Sequence, residues 1–210
     1  MKRLMIALLA ALLVGGSASA ATFTLDELVN GSVTSFTSGN GLLTFSDFDV
    51  TRLKRLSGNL SEYTITVLAD GFMLTSPHLS ANSGGLRKLD LTYRVTAISG
   101  LIVGAYMTMD ATRTSVRVKV EKDIEELGPG DQGTFLLLLL RNNASILSDS
   151  DTFTPGAASF VVEEAIRIKK VSSLNSLSNR YTVSVPEPAE FSLLATGLIG
   201  LAVLGRRPRA

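Results

Sequence analysis

The chain has no cysteine, no tryptophan and a single histidine. Without cysteine there is no disulfide and no thiolate metal site, so the fold must be held by its core and its sheet ladders. Nine phenylalanines and four tyrosines in 210 residues predict a core that is mostly aliphatic. The scarcity of histidine narrows the catalytic options, because a nucleophile relay needs a base beside its nucleophile. His78 lies in Ser76-Pro77-His78-Leu79-Ser80, which reads as a surface loop, and no Gly-x-Ser-x-Gly elbow is present. Helical periodicity is lacking too: no stretch of the body keeps it beyond about two turns.

Charge is balanced only in appearance. The formal net charge is +1, but Lys2, Arg3, Arg206, Arg207 and Arg209 lie in the two terminal segments. Fifteen basic residues then face nineteen acidic ones between residues 21 and 205, a net charge of −4. A mildly acidic body argues against a nucleic-acid partner. Once both ends are set aside, the length suits one domain.

What is present is strand signal. Tyr63, Ile65 and Val67 alternate with polar residues; Leu89, Leu91, Tyr93, Val95 and Ala97 do so over a longer run. Thr114 to Glu121 repeats the pattern through Val116, Val118 and Val120. Phe160, Val162, Ile166 and Ile168 share a face, as do Tyr181, Val183 and Val185. The leucine run of Thr134–Arg141 predicts a buried central strand. Breakers at 39–41, 82–85, 128–131 and Thr154-Pro155-Gly156 separate these segments. The expectation is an all-β, antiparallel β-sandwich over residues 21–184, with Leu91, Tyr93, Val118 and Ile166 in its core.

Candidates for site chemistry are few. Asp47/Asp49 and Asp149/Asp151 are Asp-x-Asp pairs, and the second sits in a stretch that reads as a polar turn. Calcium takes six to eight oxygens, so Asp149 and Asp151 are candidate metal ligands, with turn formation the ordinary alternative. Glu121 to Glu126, with Lys122 among its acids, reads as a solvated strand end. A glycosidase would need two carboxyls about 5–9 Å apart in a cleft, and aromatic platforms are scarce here.

The two ends carry the most specific pattern. Lys2 and Arg3, the apolar run Leu4–Val14 and Ala18-Ser19-Ala20 form a signal-peptide pattern over residues 1–20, with cleavage expected after Ala20. At the other end, Val185-Pro186-Glu187-Pro188 is an extended strip, because each proline fixes its own φ and biases the residue before it. The apolar run Phe191–Gly205 follows, near the short end of the about 17–25 residues that span a bilayer. Arg206, Arg207 and Arg209 close the chain as a membrane stop on the cytoplasmic side.

Pro186-Glu187-Pro188, the glycine-bearing apolar segment and the terminal arginines, taken in that order, resemble a PEP-CTERM sorting signal over residues 185–210. Glu190 and Pro208 depart from the usual pattern. The resemblance implies an exported protein of a Gram-negative bacterium. It would be held at the inner membrane by a short transmembrane helix and processed near Pro-Glu-Pro by an exosortase-type enzyme. The family's association with exopolysaccharide and biofilm implies a cell-surface or extracellular-matrix destination. On this reading the chain is a non-enzymatic structural or adhesive protein without a cofactor. The alternative is a carbohydrate- or calcium-binding β-sandwich module; a hydrolase would require His78 or two acidic side chains to converge in a pocket. An exposed cluster among Tyr63, Tyr93, Tyr106 and Tyr181 would favour binding, and burial of all four would favour a scaffold.

Overall fold

The computed structural model describes residues 20–56, 59–81, 85–113, 117–126, 134–140, 145–169 and 172–185. The chain opens with β1 (Thr22–Thr24), a single helical turn α1 (Leu25–Val29), β2 (Ser35–Thr37) and β3 (Leu43–Lys54). Then come β4 (Thr64–Leu68), β5 (Gly71–Thr75), β6 (Ser80–Ala81), β7 (Leu86–Ala97) and β8 (Leu101–Arg113). The last six are β9 (Arg117–Glu126), β10 (Thr134–Leu140), β11 (Ser145–Ile146), β12 (Ser148–Ala157), β13 (Ser159–Lys169) and β14 (Ser172–Ser184).

These strands form two antiparallel seven-stranded sheets. One runs β1-β4-β5-β14-β8-β12, with β6 also on β14; the other runs β11-β10-β9-β13-β7-β3-β2. Period-2 alternation sends one set of side chains inward from each sheet, and these merge into a single core. Leu91, Tyr93, Val118 and Ile166 are all buried, as their alternation predicts, and so are Tyr63, Ile65 and Val67 on β4 and its approach. Aromatic pairs bridge the sheets: Phe45 to Phe72 at 5.3 Å, Phe72 to Tyr93 at 5.1 Å and Phe160 to Tyr181 at 5.6 Å. The all-β sandwich expectation holds for the body.

Several local expectations do not. The core is not simply aliphatic: the few aromatic residues are concentrated into a seam that runs from Phe23 through Phe36, Phe45, Phe48 and Phe72 to the tyrosines. The leucine run is not central, since β10 lies next to the sheet edge, capped only by the two-residue β11. Pro155 and Gly156 do not turn the chain. They sit in a register irregularity between Thr152 and Ala157 within β12, which bends a strand rather than ending it. Val183 follows Tyr181 onto the core face as expected, but Val185 lies past the end of β14 and is exposed.

The strand β14 is tightly held. Gly71 lies so close to it that a Cβ there would run into the Asn179 carbonyl oxygen, which requires glycine at that crossing.

Candidate functional site

Two polar constellations stand out, one on each side of the second sheet. On its outer face, alternation along β7, β9 and β13 points Asp90, Thr92, Glu121, Asp123, Glu163, Ala165 and Arg167 away from the core. The register aligns them in rows. Ala165 stands between Asp90 and Glu121, Glu163 between Thr92 and Asp123, and Arg167 between Lys88 and Lys119. The short side chain of Ala165 among longer neighbours leaves a groove of about 300 Å³, which also reaches Thr51 on β3. Asp90 is paired with Arg167 and, at 3.7 Å, with Arg52, while Glu121 is paired with Lys119. Glu163 and Asp123 have no ion-pair partner among the described residues, so their oxygens remain open to a ligand.

On the inner face of the same strands, charge has entered the core. Lys122 and Glu164 occupy inward positions and are directly opposite each other in the β9–β13 register. Lys122 and Asn179 are 0% exposed and Glu164 is 1% exposed. Asn179 and Tyr181 reach them from the facing sheet on β14. Lys122 Nζ donates a hydrogen bond to Asn179 Oδ1 and a longer one, 3.3 Å, to the Tyr181 hydroxyl. It also lies 5.1 Å from the centre of the Tyr181 ring, a cation–π distance. The Tyr181 hydroxyl is 2.8 Å from that of Tyr93. Lys122 Nζ stands 3.7 Å from Glu164 Oε2.

This arrangement is incompletely satisfied. Neither oxygen of Glu164 accepts a hydrogen bond of normal geometry, and Asn179 Nδ2 donates none. An orphaned buried polar atom costs about 1–3 kcal/mol. Burial pushes the Glu164 carboxyl upward against the Lys122 charge, and the nearby Asn179 and Tyr93 groups also oppose the shift. Burial likewise lowers the Lys122 ammonium, with Glu164 opposing. Desolvation thus favours the uncharged form of each group. Burial also raises Tyr93 and Tyr181 well above the ordinary phenol range, so both stay neutral hydroxyls.

Sequence reasoning placed Lys122 in a solvated strand end. The structure corrects this: β9 continues to Glu126, and the alternation of Val118 and Val120 carries on through Lys122 to Ile124, all inward. Glu164 falls in the same way between Val162 and Ile166. Strict continuation of the period-2 pattern was the available signal.

The other candidates are dispersed. His78 lies in the loop between β5 and β6, partly exposed, with Nε2 2.7 Å from Glu62 Oε2. Asp149 and Asp151 are on β12, a strand rather than a turn. The Asp149 carboxylate accepts from the backbone N–H groups of Leu137 and Ser150, and Asp151 from that of Thr152. No group of three metal-ligating side chains occurs among the described residues. Asp47 is paired with Arg94 at 2.8 Å. Tyr63, Tyr93 and Tyr181 are buried and only Tyr106 is exposed, so no tyrosine platform is present on the described surface. Ala20 is exposed. Ala18, Pro186, Glu187, Pro188, Arg206, Arg207 and Arg209 lie outside the described residues. Among those described, no helix is long and apolar enough to cross a membrane.

No family model matches the chain, and no curated protein matches it. Solved structures are similar at low scores. The mannan-recognising carbohydrate-binding module TmCBM27 has a TM-score of 0.35 and 5% identity, over 77% of this chain and 93% of that one. A thermostable variant of the Cel12A cellulase of Rhodothermus marinus has a TM-score of 0.36 and 10% identity, over 80% and 100%. The enzymatically active domain of tailspike protein 4 of bacteriophage CBA120 has a TM-score of 0.29 and 12% identity, over 70% of this chain and 20% of that one. The expectation of a non-enzymatic chain is corrected here: a cellulase and a tailspike enzymatic domain are among the structures matched, and acidic side chains do converge in a groove. At these scores the likenesses themselves argue no activity for this protein.

Proposed function

We propose that this protein is an exported, surface-destined β-sandwich that holds a polysaccharide on the outer face of its second sheet. The groove over Ala165 carries the reading. Sugar hydroxyls both donate and accept hydrogen bonds. Glu163 and Asp123 offer open acceptors, Thr92 and Thr51 offer hydroxyls, and Arg167 offers a guanidinium at one end. With three of four tyrosines buried, recognition runs through polar contacts rather than ring stacking. Delivery follows from the tail: Pro186-Glu187-Pro188 presented to an exosortase-type enzyme, a short membrane helix, and Arg206, Arg207 and Arg209 as the stop.

The test is calorimetric titration of the purified protein with a panel of neutral and acidic polysaccharides, with Glu163→Ala and Arg167→Ala alongside. Hydrogen bonds to charged groups contribute about 1.5–3 kcal/mol, so each variant should bind its polysaccharide about tenfold or more weakly. Binding that is unchanged in both variants, or absent across the panel, refutes the groove.

A further inference from the structure

We propose that Lys122 and Asn179 become joined by an intramolecular isopeptide bond that ties the two sheets together, with Glu164 carrying the protons. The bond would link β9 to β14 across the core.

Four observations converge on it. The Lys122 amine is in hydrogen-bond contact with the Asn179 side-chain amide. Glu164 is its direct cross-strand neighbour, with Oε2 3.7 Å from Nζ. All three side chains are buried, walled by Tyr93, Tyr181 and Phe72. The polar atoms of this cluster left without a hydrogen bond are both Glu164 oxygens and Asn179 Nδ2, which are the atoms a proton relay and a leaving group would use. Desolvation helps in the same direction, because it favours a neutral amine beside a carboxylic acid.

The chemistry balances without oxidant, metal or cofactor. The uncharged Lys122 Nζ adds to Asn179 Cγ while the protonated Glu164 polarises the amide oxygen. The carboxyl group takes a proton from the attacking nitrogen and returns one to Nδ2. The Nζ–Cγ bond forms, the Cγ–Nδ2 bond breaks, and ammonia leaves. In a chain without cysteine, the product supplies the covalent staple that a disulfide would otherwise give.

Tryptic digestion of the purified full-length protein with tandem mass spectrometry decides it. The expected product is the segment 120–141, uncut after Lys122, joined to the segment 171–180 and lighter than their sum by one ammonia. Recovery of the two segments unjoined, with cleavage after Lys122, overturns the proposal. Asn179→Asp should still join but lose water instead of ammonia, which identifies the carbonyl attacked. Glu164→Gln keeps the shape and removes the acid, so it should fold and remain unjoined. Full joining in that variant overturns the role given to Glu164.

Discussion

Lys122→Met keeps most of the side chain's length and removes its charge. Glu164 then loses a counter-charge 3.7 Å away while its carboxyl remains in the core. Breaking one side of a buried pair costs about 3–5 kcal/mol. The same substitution removes the amine of the proposed link, which closes a separation of 57 residues; a cross-link of that span contributes about 4 kcal/mol on a chain-entropy model. The two losses together approach the whole stability of an ordinary domain, about 5–15 kcal/mol. Lys122→Met combined with Glu164→Leu separates them. The double variant has no unpaired carboxyl, so it should recover the first loss and keep the second. Urea unfolding followed by circular dichroism measures both. The pH dependence gives an independent check. Burial raises the Glu164 carboxyl from its ordinary value of 4.5, and the lysine charge that opposed this is gone in the single variant. The folded state then keeps a proton that the unfolded chain releases. The stability from this group is full below the unfolded value and is lost as pH rises through the folded one. The single variant should therefore be more stable at about pH 5 than at about pH 8, and the double variant should lose that slope. A single variant as stable as the parent protein and flat across this range refutes the reasoning.

Leu91 is 1% exposed on the inward face of β7, so Leu91→Ala should cost about 2–5 kcal/mol in the same urea assay. Leu91→Asp should abolish folding, because nothing pairs the charge. Replacing Pro186, Glu187 and Pro188 with alanine should leave export intact and block release, so that an uncut form collects in the membrane fraction; cleavage at the parental rate would reduce the motif to a stiff linker.

Much of the sandwich was legible because alternation is local. Leu89 to Val95 and Phe160 to Ile168 announce their inward faces in their own sequence, and β7 and β13 pair along their length. What alternation does not carry is order within a sheet, which long-range register decides. That is why the leucine run reads as central while β10 lies near an edge. Bulges defeat it for a related reason: one extra residue on β14, Asn175 between Leu174 and Ser176, moves the inward face from Ser172 and Leu174 to Leu177, Asn179 and Tyr181, and composition gives no warning of it.

The buried polar residues were missed for a different reason. Lys122 and Glu164 stand at positions that the period-2 pattern assigns to the core, yet their chemistry assigns them to water. Reading each charge by type places Lys122 in a solvated strand end and leaves Glu164 out of the face made by Val162 and Ile166. Reading them by position puts a cation and an acid opposite each other on neighbouring strands of a dry interior. The conflict between the two readings is itself informative, because a sequence keeps a local violation of this kind where it is put to use or offset elsewhere. Here the offset is partial: Asn179 and Tyr181 satisfy the amine, while the acid and the amide nitrogen keep no hydrogen bond. A purely stabilising pair would be served as well by two aliphatic side chains. An amine, an amide and an acid without a hydrogen bond within reach of one another, in a cysteine-free chain, make a covalent tie the more economical account of why the charges are there.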